Sequence, residues 1–203
     1  MKATILMLCV VIFVNTEILS VDVLAFAGIV IIMAYSYNRQ TKWDTITYII
    51  ASLVGVVALF VDIQIVESGT LGYGLLSVVM FTGVLPNGWT LTKKLRLYRS
   101  YYSILGVIFI LPHAYINLFL DQQINIFGIA SMVIMLPLFI TSFNLVKKEI
   151  KLEEWVKLQK AAYLVYGLLF IHLISVADWY GKIVYAVMMT LYINNKLLKE
   201  FRK

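Results

Sequence analysis

The chain has 203 residues, 62% of them hydrophobic and only 14% charged, with a mean hydropathy of +0.89. A water-soluble domain carries roughly 25% charged residues, so the composition predicts an integral membrane protein and excludes a sizeable soluble nucleotide- or flavin-binding module. The net charge of +6 reads as membrane topology rather than nucleic-acid binding. The single cysteine, Cys9, excludes an internal disulfide and a thiolate-bound cluster.

In chain order, the apolar runs are Ala3–Leu19, Val21–Tyr37, Thr45–Val66, Thr70–Pro86, Tyr98–Leu120, Ile126–Val146, Val156–Ala177 and Tyr180–Leu197. A spanning helix needs about 20 residues. Long Ile/Leu/Val runs without alternation argue against a membrane barrel. The expected fold is therefore an all-α, polytopic membrane helix bundle of about eight spans. It divides into an N-terminal two-span hairpin over residues 1–44 and a six-helix domain over residues 45–203. The N-terminal run reads as an uncleaved first span, because a second apolar run follows it at once. The alternative count is six spans plus an N-terminal re-entrant or interfacial hairpin.

Basic residues test this count. With eight spans and a cytoplasmic N-terminus, sixteen of the seventeen Lys and Arg residues fall on the cytoplasmic side, Lys182 being the exception. Glu17, Asp22, Asp62, Glu67, Asp121 and Asp178 collect on the other side. A wrong count scrambles such a pattern, so both termini are expected in the cytoplasm and the protein in the cytoplasmic membrane.

The chain has two histidines, His113 and His172, each deep in an apolar run. Ionisable groups inside a span are costly and mark function by default. The two runs point the same way. His113 lies 15 residues beyond Tyr98 and His172 lies 15 residues beyond Lys157. Both imidazoles therefore stand about 22 Å above the inner boundary, at one depth in the outer half of the membrane. Two histidines on facing helices suit the axial positions of a haem iron. Zinc wants further ligands that the chain does not offer. Gly106, two turns before His113, is expected to let a macrocycle approach the backbone, and Pro112 to bend the helix before the ligand. The bland alternative is a pair of histidines that merely hydrogen-bond to neighbouring helices.

These residues carry a resemblance. The stretches are Gly69-Thr70-Leu71-Gly72-Tyr73 leading to Pro86, Leu95-Arg96 through Gly106 to Leu111-Pro112-His113, Thr141-Ser142-Phe143, and Trp155-Val156-Lys157-Leu158-Gln159 with Tyr163 and the run to His172. In this order and spacing, residues from about Thr45 to Leu197 resemble the ferric reductase-like transmembrane domain family. The nearest likeness is to the haem-binding membrane subunit of the bacterial methionine sulfoxide reductase system. The resemblance implies that His113 and His172 are the axial ligands of one outer-leaflet b-type haem. In the family pattern an inner ligand pair falls at Arg99 and Gln159. Neither is histidine, so a single haem is expected.

The function that follows is electron transfer through haem to an acceptor at the outer face, with a flavoprotein or reductase subunit as redox partner. Whether the chain is itself an enzyme stays open. Arg99, Gln159 and Lys160 are either snorkelling interface residues or the lining of a quinone or flavin headgroup site. The alternative from a different class is a haem-free membrane anchor or assembly partner.

Overall fold

The computed structural model describes residues 41–61, 63–122 and 124–201. The expected spans Ala3–Leu19 and Val21–Tyr37, together with Cys9, lie outside the described residues. Regular secondary structure among the described residues is helical throughout. The helices are α1 (Thr41–Val57), α2 (Gln64–Glu67), α3 (Thr70–Thr82), α4 (Thr90–Tyr115, running into a π-helical turn at Ile116–Leu120), α5 (Ile126–Ile140), α6 (Asn144–Glu149), α7 (Leu152–Gln159), α8 (Ala162–Val176) and α9 (Trp179–Phe201). The boundary expected after residue 44 falls inside α1.

Each of the six apolar runs from Thr45 onward holds a helix, but the helices do not follow the runs' ends. Thr45–Val66 is broken: α1 stops at Val57, the chain turns, and α2 packs Ile65 and Val66 into the core. Ile126–Val146 is likewise split between α5 and α6. Hydropathy measures the length of an apolar run and is blind to a turn inside it. Among the described residues, two stretches, Thr90–Leu120 and Leu152–Val176, are long and apolar enough to cross a membrane, whereas Asp44–Val57, Thr70–Thr82 and Ile126–Ile140 are apolar but shorter. The 13 residues of α3 rise about 20 Å, against a hydrocarbon core of about 30 Å.

Helix α4 is the centre of the bundle. It packs on α1, α2, α3 and α5, while α8 packs on α5 and α9. Leu71 and Leu75 of α3 and Leu95 and Leu105 of α4 are essentially inaccessible. The α3–α4 crossing is close because two glycines meet there. A Cβ on Gly72 would stand 2.7 Å from the Gly106 carbonyl oxygen, and one on Gly106 would stand 3.0 Å from Leu76 and 3.2 Å from the Gly72 carbonyl. Small residues let helix backbones approach in this way. Gly106 therefore serves a helix contact. The space expected beside it for a macrocycle is filled by Leu76 and the Gly72 backbone.

Several hydroxyls in the interior bond to carbonyls of their own helices. Ser77 donates to the Gly74 carbonyl at 2.7 Å, Thr82 to Val78 at 2.7 Å, Ser131 to Gly128 at 2.7 Å and Ser142 to Leu138 at 2.7 Å. Apolar side chains meanwhile cover much of the outside. On α5 the buried residues are Ser131, Met135 and Leu138, whereas Val133 is 61% and Ile140 51% exposed.

Candidate functional site: a histidine pair at the ends of α4 and α8

Near the C-terminal ends of α4 and α8 the two imidazoles face each other. Their ring centres are 6.4 Å apart and their planes are inclined by 66°. The separation in sequence is 59 residues, so the pairing is a product of the tertiary fold. Pro112, one residue before His113, is buried in α4, and a Cβ on Gly55 of α1 would stand 3.2 Å from its ring. Proline leaves one backbone carbonyl of the preceding turn without its partner. One turn later the helix widens, with Asp121 N–H bonding the Ile116 carbonyl five residues back at 2.9 Å. Widened turns of this kind are frequent at functional sites.

The backbone of the α2–α3 junction holds His113. The Glu67 carbonyl oxygen lies 2.6 Å from His113 Nδ1. A carbonyl only accepts, so Nδ1 carries a proton, and in the neutral ring the lone pair lies on Nε2. Asn117 Nδ2 is 3.2 Å from the same nitrogen, which as an N–H has no lone pair to offer it, and donates to the His113 carbonyl at 2.8 Å. Gly69 makes the approach of Glu67 feasible. It sits at the N-terminus of α3 in the left-handed region, φ +74°, and a Cβ there would stand 3.0 Å from the His113 ring. Backbone conformation and ring contact both demand glycine.

His172 rests on a second glycine. A Cβ on Gly128 of α5 would stand 3.1 Å from His172 Nδ1. That nitrogen is buried and has no hydrogen-bond partner among the described residues. The turn carrying His172 is tied to α5 instead. Asn125 caps α5 by accepting from the Phe127 and Gly128 N–H groups at 3.1 and 3.2 Å, and donates to Ser175 Oγ at 2.8 Å. Ser175 donates to the His172 carbonyl at 2.6 Å. One imidazole is thus fixed in tautomer and orientation, while the other is positioned by packing and by its backbone.

Sequence reasoning paired His113 with His172 but missed what orients them: the Glu67 carbonyl, Gly69, Asn117, Gly128, Asn125 and Ser175. Some signals were present. Ser68-Gly69-Thr70 is a helix-start pattern, Asn117 lies four residues after His113, and Asn125 precedes an apolar run as a capping residue does. A backbone carbonyl leaves no trace in the sequence.

Of the expected inner group of Arg99, Gln159 and Lys160, the first two have other contacts. Gln159 Nε2 reaches Thr141 Oγ1 at 3.4 Å, and Trp155 Nε1 donates to the Thr141 carbonyl at 3.0 Å. Both bonds fasten α7 to the end of α5. The Arg99 guanidinium sits beside the Tyr166 phenol of α8. No group of three or more His, Cys, Asp or Glu side chains among the described residues is arranged to hold a metal ion. No protein-family model, curated protein or solved structure matches the chain.

Proposed function

We propose that the chain is a multi-pass protein of the cytoplasmic membrane, both termini on the cytoplasmic side, that holds one b-type haem between His113 and His172 and passes electrons to an acceptor at the outer face. The observation that carries this reading is the 6.4 Å separation of the two ring centres. Two metal–nitrogen bonds of about 2.1 Å, with about 1.1 Å more from each nitrogen to its ring centre, place opposed imidazoles about 6.4 Å apart. The proton on His113 Nδ1 supports the same reading, because a ligating histidine characteristically gives its other N–H to a carbonyl or carboxylate. The inverted surface, apolar outside with hydroxyls inside, supports placement in lipid. About eight spans, as the apolar runs and the basic residues suggest, are part of the proposal.

His113 and His172 would hold the group, and it would supply one-electron exchange. The protein's own work is then positional. Glu67 fixes the His113 ring, Gly69 and Gly128 admit the two rings, and the Asn125–Ser175 link holds the His172 turn at the level of its partner. A flavoprotein or reductase subunit remains the proposed acceptor. A quinone or flavin near Arg99, Gln159 and Lys160 has weaker support, since Gln159 is engaged with Thr141.

A haem-free anchor is the second reading. It is favoured by the absence of histidine at the inner positions Arg99 and Gln159. A reduced-minus-oxidised absorption spectrum of the purified full-length protein, expressed with ample haem, separates the two. A narrow b-type band that disappears in His113→Ala and in His172→Ala is expected. Protein that stays haem-free under those conditions refutes the first reading.

A further inference from the structure

The two histidines are held in unequal ways. His113 Nδ1 gives its proton to the Glu67 carbonyl at 2.6 Å. Pro112 beside it is buried, and the helix continues past the ring through Tyr115 and the turn Ile116–Leu120. The helix that carries it, α4, packs on α1, α2, α3 and α5. His172 Nδ1 is also buried, but among the described residues it meets no acceptor. It lies against Gly128, where a Cβ would stand 3.1 Å away, so α5 closes off this nitrogen and leaves Nε2 for a metal. His172 is four residues from the end of α8 at Val176, and the backbone is already extended at Ala177 (φ −71°, ψ 153°). Two bonds tie that turn down, Ser175 Oγ–H to the His172 carbonyl at 2.6 Å and Asn125 to Ser175 at 2.8 Å. Neither touches the imidazole.

A neutral imidazole that ligates through Nε2 carries its proton on Nδ1. An acceptor for that proton fixes the ring and makes it a stronger donor to the metal. Removing such an acceptor typically costs about 10- to 100-fold in metal affinity. His113 has its acceptor in Glu67. His172 would bury the same N–H against Gly128 with none, which penalises the bound position of the ring. Hydrogen bonding, helix position and packing therefore all rank His113 as the firm ligand and His172 as the weak one.

We propose that His172 is the exchangeable ligand of the pair, replaced at reduced iron by a small neutral diatomic molecule while His113 stays bound. The inference rests on the haem reading above. The exchange balances as one lone-pair donor for another. The bond from His172 Nε2 to iron breaks, a bond from the diatomic molecule forms, and neither an electron nor a proton is transferred. His172 Nδ1 keeps its proton throughout. The ring is only partly buried and α8 ends one turn beyond it, so its departure disturbs little of the bundle. Diatomic donors of the carbon monoxide type favour ferrous iron, so exchange at His172 would hold back the electron that the site otherwise passes on. The pair then combines electron transfer with a response to a dissolved gas.

The test mixes haem-loaded, dithionite-reduced full-length protein in detergent with carbon monoxide and follows the absorption spectrum. The narrow b-type band is expected to give way to a carbon monoxide spectrum, at a rate that levels off at high carbon monoxide because departure of His172 becomes limiting. Ser175→Ala frees the turn without touching the ring and is expected to raise that limiting rate about 5-fold, the equivalent of one hydrogen bond. Thr190→Ala removes a hydroxyl bonded within α9 and is expected to leave the rate unchanged. Loaded protein whose band carbon monoxide does not alter overturns the proposal and leaves the haem reading standing. A Ser175→Ala rate equal to that of the unaltered chain also overturns it, since the ligand that leaves is then not His172. Protein that never acquires the band removes the haem reading, and this inference with it.

Discussion

Single atoms decide the histidine site. The 2.6 Å contact from the Glu67 carbonyl to His113 Nδ1 fixes a tautomer, and two glycines make room for two rings. Gly69→Ala puts a Cβ 3.0 Å from the His113 ring on a backbone with φ +74°. A side chain in that region costs about 1–2 kcal/mol, so the variant is expected to unfold at lower temperature and to retain less haem per chain by pyridine haemochrome assay. Gly128→Ala has no such backbone strain. Its Cβ stands 3.1 Å from His172 Nδ1, so the ring must yield by a few tenths of an ångström. The expected outcome is near-normal haem content with a changed low-spin signal in electron paramagnetic resonance. An unchanged signal counts against ligation by His172.

At the level of elements, the α3–α4 crossing and the α5–α8 link carry separate predictions. Gly72→Ala drives a Cβ to 2.7 Å from the Gly106 carbonyl and 2.9 Å from the Ile110 nitrogen. Both are backbone atoms and cannot swing aside, so the helices must separate, at a cost of about 1–3 kcal/mol. Gly167 of α8 is the internal control, since a Cβ there meets nothing within 4 Å. Gly167→Ala is expected to be neutral or to stabilise by up to about 1 kcal/mol through helix propensity. Thermal unfolding in one detergent ranks the pair, and a Gly167→Ala variant less stable than Gly72→Ala contradicts the packing described. Asn125→Ala removes a cap worth about 1 kcal/mol and also the bond to Ser175. Its stability loss is expected to come with a loss of haem retention, which capping alone does not produce.

At the scale of the whole molecule, topology is the testable quantity. In a Cys9→Ala background, Lys148→Cys is expected to react with a membrane-impermeant thiol reagent from the cytoplasmic side alone, and Asp121→Cys from the outer side alone. Labelling of both from one side removes the proposed orientation, and with it the outer-face position of the histidine pair.

Composition and apolar runs were enough to read an all-helical chain, because hydrophobic length is a property of consecutive residues. Equal spacing of His113 from Tyr98 and of His172 from Lys157 was enough to suggest a pair, because helix rise converts residue count into depth. Tertiary structure alone decided the rest. Gly106 was assigned by its spacing from His113, yet a glycine's purpose depends on what stands against it, and that proved to be Gly72 and Leu76. The breaks at Val57 and Ile140 fall inside apolar runs, where hydropathy carries no signal for a turn. The partner of His113 is a backbone carbonyl from the α2–α3 turn, a group every residue possesses, so only the path of the chain could select it.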